Sequence, residues 1–347
     1  NDSRKQRGIN FFLAASVMLS EKGEGIKMYM FKYILKRVGL MIFTFCVIMV
    51  MCFVLVKLLP IPISSGIGTD RELIEANLRA RGYYDPIMVQ LFSYLKRIFT
   101  EGDFGIGVNM PGYINQPVWD AFVSRLPPTV LINIYSTLIG VPIGLGLGIF
   151  AALKKNKWQD HVISTLVMLL IAVPSIVYAF LIQYVFCFKL QLFPLMMNTG
   201  TDYFSPEMFL SMLPAVFSLC LGSIAGYARF TSAELTEVLT SDYMLLARTK
   251  GLTRGQATLR HALRNSMVPI FPSILSEFVA VLSGSMIIEN IFSIPGVGRL
   301  YLTSITVVDY DFFLLLSGFY TLVGLLAGII VDISYGFIDP RIRMGAK

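Results

Sequence analysis

Charge is scarce in this sequence: Asp, Glu, Lys and Arg make up 15% of its 347 residues, against 55% hydrophobic residues. A soluble domain is about one quarter charged, so an ordinary soluble fold is excluded. Histidine is nearly missing, with His161 and His261 alone, which argues against a His-based metal or catalytic site. All four cysteines, Cys46, Cys52, Cys187 and Cys220, lie inside apolar runs. That placement indicates neither a disulfide framework nor a metal cluster. No H-E-x-x-H, G-x-S-x-G or Walker A phosphate loop occurs. The glycines of 142–150, PIGLGLGIF, follow no strand and sit within an apolar run, so they point to no nucleotide site. The chain is expected to be no enzyme and to bind no cofactor or metal itself.

What the sequence does have is apolar runs near 20 residues, the length that carries a helix across the hydrocarbon core. The expected fold class is all-α, a polytopic membrane protein with six spans. They are placed at about 38–59, 129–153, 161–188, 208–227, 269–288 and 312–333. Lys and Arg are in excess before the first span, after the second, after the fourth and after the sixth. For six spans these all fall on one side, so both termini are expected in the cytoplasm of a prokaryotic cell membrane. The net charge of +7 is then cytoplasmic loop charge, with lipid as the surrounding partner and no nucleic acid.

The chain divides accordingly. Residues 1–27 are set aside as an extension: Arg4, Lys5 and Arg7 precede an apolar run as in a signal peptide, but no A-x-A site follows. Met28 or Met30 would open a conventional start, and 28–59 holds the cytoplasmic N-terminus and first span, with Lys57 near enough to its outer end to snorkel. The segment 60–128 has balanced charge, which suits an extracellular face. It contains a helical stretch at 69–82 and an amphipathic one around Leu91 to Phe99 that is expected to rest on the membrane. A five-helix core spans 129–335, including a cytoplasmic loop at 229–268, and 336–347 is a cytoplasmic tail. In the second span Gly140, Gly144, Gly146 and Gly148 predict close helix approach.

The loop between the fourth and fifth spans is written as structured protein. Ser241 or Asp242 is placed to cap a helix whose Tyr243, Leu246, Ala247 and Lys250 share one face. Gly251 is a natural left-handed terminator. Thr253 with Gln256 spells a capping box for a second helix through Asn265, and Pro269 is expected to stop or redirect it. Two capped helices carrying Arg248, Lys250, Arg254, Arg260 and Arg264 suggest a docking surface; an ordinary basic cytoplasmic loop is the alternative. Ionisable groups at membrane depth are the other candidates. Glu277 either faces a water-filled path or pairs with a group on a neighbouring subunit. Glu289, Asn133 and Ser136 are further path candidates.

The loop also carries a resemblance. Permease subunits of binding-protein-dependent ATP-driven importers have an E-A-A-x-x-x-G-x9-I-x-L-P signature. Here Ala247, Gly251 and Leu263 match it, while Leu245, Leu246, His261 and Arg264 depart. The fuller wording, DYMLLARTKGLT with LRHALRNSMVPI, resembles the B-type subunit of oligopeptide and dipeptide permeases. ENIFSIPGVGRL followed by DYDFF, the opening FKYILKRVG, RLPPT ahead of the second span and the terminal IDPRIR agree with it. The resemblance covers residues 30–343. It implies the type I importer permease fold and a second, homologous permease as partner. It also implies two cytoplasmic ATPases that bind ATP and Mg, and an extracellular peptide-binding protein. It makes Asp242, Tyr243, Leu246, Ala247, Arg248, Lys250 and Gly251 the ATPase-coupling residues. Nickel and other small-solute importers share these motifs, and a stand-alone channel or secondary transporter is the alternative from another class.

Overall fold

A computed structural model of the chain describes residues 32–60, 71–198 and 200–338. The expectations for 1–27, for Met28 and Met30 and for 339–347 of the tail lie outside the described residues. Among the described residues the chain is helical, without a strand; two isolated bridges, Ile106 with Pro117 and Gly107 with Ile114, shape the loop before the second long helix. In chain order the helices are α1 (Lys32–Lys57), α2 (Arg71–Ala80), α3 (Ile87–Glu101), α4 (Val118–Leu153), α5 (Trp158–Ala172) and α6 (Ser175–Ile182). They continue as α7 (Pro206–Leu239), α8 (Asp242–Thr249), α9 (Arg254–Ala257), α10 (Leu263–Ala280), α11 (Met286–Ile291), α12 (Val297–Thr306) and α13 (Tyr310–Ile338).

Four helices, α1, α4, α7 and α13, are long and apolar enough to cross a membrane, or five if α5 and α6 form one broken span. The predicted third span is that broken pair, bent by 99°. The break lies at Val173, whose backbone is extended (φ −83, ψ 126), as the ring of the following Pro174 requires. The predicted fifth span is divided too: α10 stops at Ala280, and α11 begins only at Met286 after a turn.

Two predicted boundaries move outward. The second span was expected to begin at 129, but α4 starts at Val118 and runs unbroken through Pro127 and Pro128. Its early turns bury Val118, Ala121 and Phe122 against Val297, Leu300, Phe312 and Leu316, and that packing outweighs two missing N–H donors. The fourth span was expected to end near Tyr227, yet α7 runs on to Leu239 and keeps Ala228, Thr231 and Leu235 buried. Ser205 caps its start by accepting the Met208 amide at 3.3 Å, with Pro206 at the first helical position. At 1.5 Å per residue α7 is about 50 Å long, well beyond the ~30 Å hydrocarbon core.

The bundle is built on α4 against α7. Gly140, Gly144 and Gly148 recur every four residues on the face of α4 that meets α7. A β-carbon on Gly144 would lie 2.8 Å from that of Tyr227 and 2.9 Å from the Ile224 carbonyl oxygen. Gly146, on the other side of the helix, has nothing within 4 Å. The predicted close approach is therefore carried by three of the four glycines.

At one end of the bundle, α1, α2, α3 and the start of α13 share a core of Phe53, Leu78, Tyr83, Tyr94, Tyr310 and Leu314. Asp309 is fully buried and accepts the backbone amides of Val108, Asn109 and Met110 at 2.7, 2.7 and 3.0 Å. Burial pushes its carboxyl up to about 6, against the pull of those amides. Asp311 accepts the Tyr83 hydroxyl and, at 3.1 Å, the Ile106 amide. Lys57, the last residue of α1, joins this cluster. Its ammonium lies over the rings of Tyr83 (3.7 Å) and Tyr310 (4.8 Å). The Tyr310 hydroxyl donates to the Leu59 carbonyl, and at the other end of the same two helices Arg37 pairs with Asp332 at 2.9 Å. α1 is thus tied to α13 at both ends. The amphipathic α3 buries Leu91 and Tyr94 and leaves Phe92 and Phe99 exposed.

Candidate coupling surface and solute path

The α8 segment sits where the sequence places a capped helix, but its contacts sort differently from the predicted face. Met244 and Ala247 point inward and pack with Ala152, Leu235, Ala257 and Ala262, a small core drawn from α4, α7 and α9 onward. Tyr243, Leu245 and Leu246 point out, at 39%, 60% and 57% exposure. Asp242, Arg248, Lys250 and Gly251 are exposed beside them. Ala247 therefore holds the helix to the bundle, while Tyr243 and Leu246 lie on its free side. Met244, the deepest contact, was missed because it falls one residue after Tyr243, outside the spacing used. Ser241 occupies the cap position, but its hydroxyl donates to Val238 at 2.6 Å instead of capping α8.

Gly251 has φ +90, the left-handed region expected of it, with open space around it. The Thr253–Gln256 capping box is formed in both directions, at 3.1 and 3.3 Å. The second helix does not end near Asn265: a π-helical turn, Thr258–Ala262, leads directly into α10. Pro269 does not stop it, since Pro269 and Pro272 both lie inside α10. Proline is tolerated within such helices where neighbouring groups satisfy the freed carbonyls. The consequence is mechanical. α8 stands on the ends of α4, α7 and α10 through one apolar core and one rigid turn.

Among the path candidates, Glu277 is the one that borders open space. It lies in a cleft of ≈ 490 Å³ between α7 and α10, lined by Gly222, Ser223, Gly226 and Tyr227 on one side and Ser273 and Ser276 on the other. The Ser223 hydroxyl donates to Glu277 Oε1 at 2.8 Å. Asn133 and Ser136 bond back to their own helix, at 2.7 Å to the Thr129 carbonyl and 2.9 Å to the Asn133 carbonyl. Glu289 is 2% exposed and enclosed by protein. It accepts Thr129 Oγ1 at 2.9 Å and the Arg299 amide at 3.1 Å, which fixes α11 and α12 on α4.

Known proteins resemble this chain along most of its length. Residues 144–344 match the family described as binding-protein-dependent transport system inner membrane component, and residues 30–133 match its N-terminal region. The chain is 34% identical to the dipeptide transport system permease protein DppB of Bacillus subtilis (strain 168), over 92% of this chain and 100% of that one. It is 32% identical to the glutathione transport system permease protein GsiC of Escherichia coli (strain K12), over 90% of this chain and 99% of that one. In fold it is similar to the crystal structure of an amino acid ABC transporter with histidines. That likeness has a TM-score of 0.50 at 19% identity and covers 63% of this chain and 94% of that one. A helical chain with several membrane-crossing helices, matched along nearly its whole length by transport permeases, belongs to the family of inner membrane components of binding-protein-dependent transport systems and is a permease subunit, not an enzyme.

Proposed function

We propose that this subunit forms half of the translocation path of an ATP-driven importer of short peptides. A second, homologous permease supplies the other half, and two cytoplasmic ATPases that bind ATP and Mg drive both. An extracellular binding protein delivers the peptide. In this reading the chain crosses the cytoplasmic membrane six times, with the α5–α6 pair and α10 as the spans that hydropathy alone counts poorly. Both termini are cytoplasmic and 60–128 is extracellular. The peptide assignment follows the dipeptide and glutathione permeases to which the chain is similar.

The observation that carries the coupling role is the division of α8 into two faces. One is locked into a core with three membrane helices; the other presents Tyr243, Leu245 and Leu246 with basic neighbours. A ligand shifts a two-state equilibrium only through differential affinity for the two states, so nucleotide binding on a partner has to act through a stiff joint. In this reading α8, its apolar core and the Gly251 turn are that joint.

A Gly251→Val transporter tests it. Valine at φ +90 is strained by about 1–3 kcal/mol, and the turn would rotate to relieve it. In proteoliposomes containing the complete transporter, peptide uptake is expected to fall roughly tenfold or more while ATP hydrolysis persists. Unchanged uptake would remove α8 from the mechanism. Co-purification separates the rival classes: a channel comes down alone, an importer permease with two ATPases and a second permease.

A further inference from the structure

We propose that Glu277 is the group in the path that reads a cationic ammonium, the free N-terminus of the imported peptide. The proposal rests on the peptide-importer reading above.

A carboxylate at membrane depth is costly unless something pairs with it. Among the described residues no Lys or Arg does: the ion pairs are Arg37–Asp332, Arg79–Glu75, Arg81–Asp103 and Lys155–Asp160. Glu277 Oε1 is held by Ser223, and Oε2 accepts no hydrogen bond among the described residues. The Tyr227 hydroxyl, on the cleft wall, is already used on the Ser273 carbonyl at 3.1 Å. One oxygen is therefore positioned and the other is open to whatever enters.

The walls fit a visitor rather than a packed neighbour. Ser273, Ser276, Glu277 and Ala280 fall at i, i+3, i+4 and i+7 on α10, facing Gly222, Ser223, Gly226 and Tyr227 of α7. Both faces carry small residues beside a single charge, and Tyr227, Phe230 and Val331 complete the lining. A β-carbon on Gly226 would meet nothing within 4 Å, and one on Gly222 would meet only the Tyr178 hydroxyl at 3.4 Å. These glycines differ from those of the α4–α7 seam: among the described residues no backbone presses on either. The space of ≈ 490 Å³ lies within the range of small-ligand sites, about 300–1,000 Å³. A zwitterionic peptide brings a charged ammonium, three donors on a compact head, and little bulk beside it. Ser223 orients the carboxylate, the ammonium takes the free oxygen, and the glycines admit the backbone that follows.

The test uses the complete transporter in proteoliposomes, with alanyl-alanine as the labelled solute and liganded binding protein in excess. Glu277→Gln keeps shape and removes charge. It is expected to co-purify with its partners and to lower uptake at least tenfold. Glu277→Asp is expected to restore uptake to within a few-fold. Gly226→Leu, whose β-carbon would meet nothing within 4 Å and whose side chain would occupy the cleft, is expected to assemble normally and lower uptake equally. Uptake by Glu277→Gln within twofold of wild type would overturn the proposal, as would normal uptake by Gly226→Leu. Loss of the second permease from purified Glu277→Gln would also overturn it, because the carboxylate would then be an intersubunit ion-pair partner. If the wild-type transporter moves alanyl-alanine and other peptides not at all, the peptide reading fails first, and it is distinguished by that control.

Discussion

A Gly148→Val subunit is expected to insert into the membrane and then fail to yield an assembled transporter. In lipid the association of helices gains little from burying apolar surface, since the tails are as apolar as the side chains. Close packing of small residues supplies the attraction instead. On α4 that packing rests on Gly140, Gly144 and Gly148, and Gly148 is the least forgiving. A β-carbon there would stand 2.6 Å from the Ala228 carbonyl oxygen, 2.7 Å from Thr231 Cβ and 3.1 Å from the Ser232 amide nitrogen. Two of these are backbone atoms of α7, so no side-chain rotation relieves the clash, and the two extra methyls of valine add to it. Overpacking costs about 1–3 kcal/mol where a core yields; here the whole helix would have to move. Gly146→Val is the internal control, since its β-carbon meets nothing within 4 Å. Size-exclusion yield of the purified complex should separate the two variants, with Gly148→Val losing most of the monodisperse peak and Gly146→Val keeping it. Equal yields would mean that the seam between α4 and α7 does not hold the bundle.

The second large effect is expected from Asp309→Ala. The aspartate lies about 200 residues along the chain from the three amides it accepts. Burying the charge is itself unfavourable, so the effect comes from what its removal leaves behind. Val108, Asn109 and Met110 are buried, and each amide left without an acceptor costs about 1–3 kcal/mol. The loss is concentrated in one place, the attachment of the 103–117 loop to the start of α13. The variant should therefore stay in the membrane with its bundle intact, while limited proteolysis in that loop speeds up at least tenfold. A cleavage rate unchanged from wild type would show that the surrounding apolar core holds the loop without Asp309.

Features set by nearest neighbours in the chain were legible in the sequence. Thr253 with Gln256 and the left-handed Gly251 stand as expected, because a cap needs only residues three or four apart. The 161–188 run reads as one span in the sequence; the 99° bend at Pro174 depends on how α6 packs against α7 and α11, which no local rule contains. Pro127, Pro128 and Pro269 were given too much weight: packing on both sides carries α4 and α10 through them. The spacing on α8 identified a helix but not its inward side. That side is chosen by Ala152 and Leu235, far off in sequence. Asn133 and Ser136 are the weaker path candidates already in the sequence, because such side chains can bond back to their own helix, as they do. Only the fold separates Glu277, which borders a cleft, from Glu289, whose oxygens are taken by Thr129 and the Arg299 amide 160 and 10 residues away.

The double fastening of α1 bears on how such a subunit can change shape. Arg37 meets Asp332 at one extremity, and Tyr310 meets the Leu59 carbonyl at the other. Sliding α1 along α13, or swinging it away, has to break at least one of these two contacts. A rearrangement at the cleft beside Glu277 that keeps both would carry the first and last long helices together, leaving α7 and α10 as the surfaces that move.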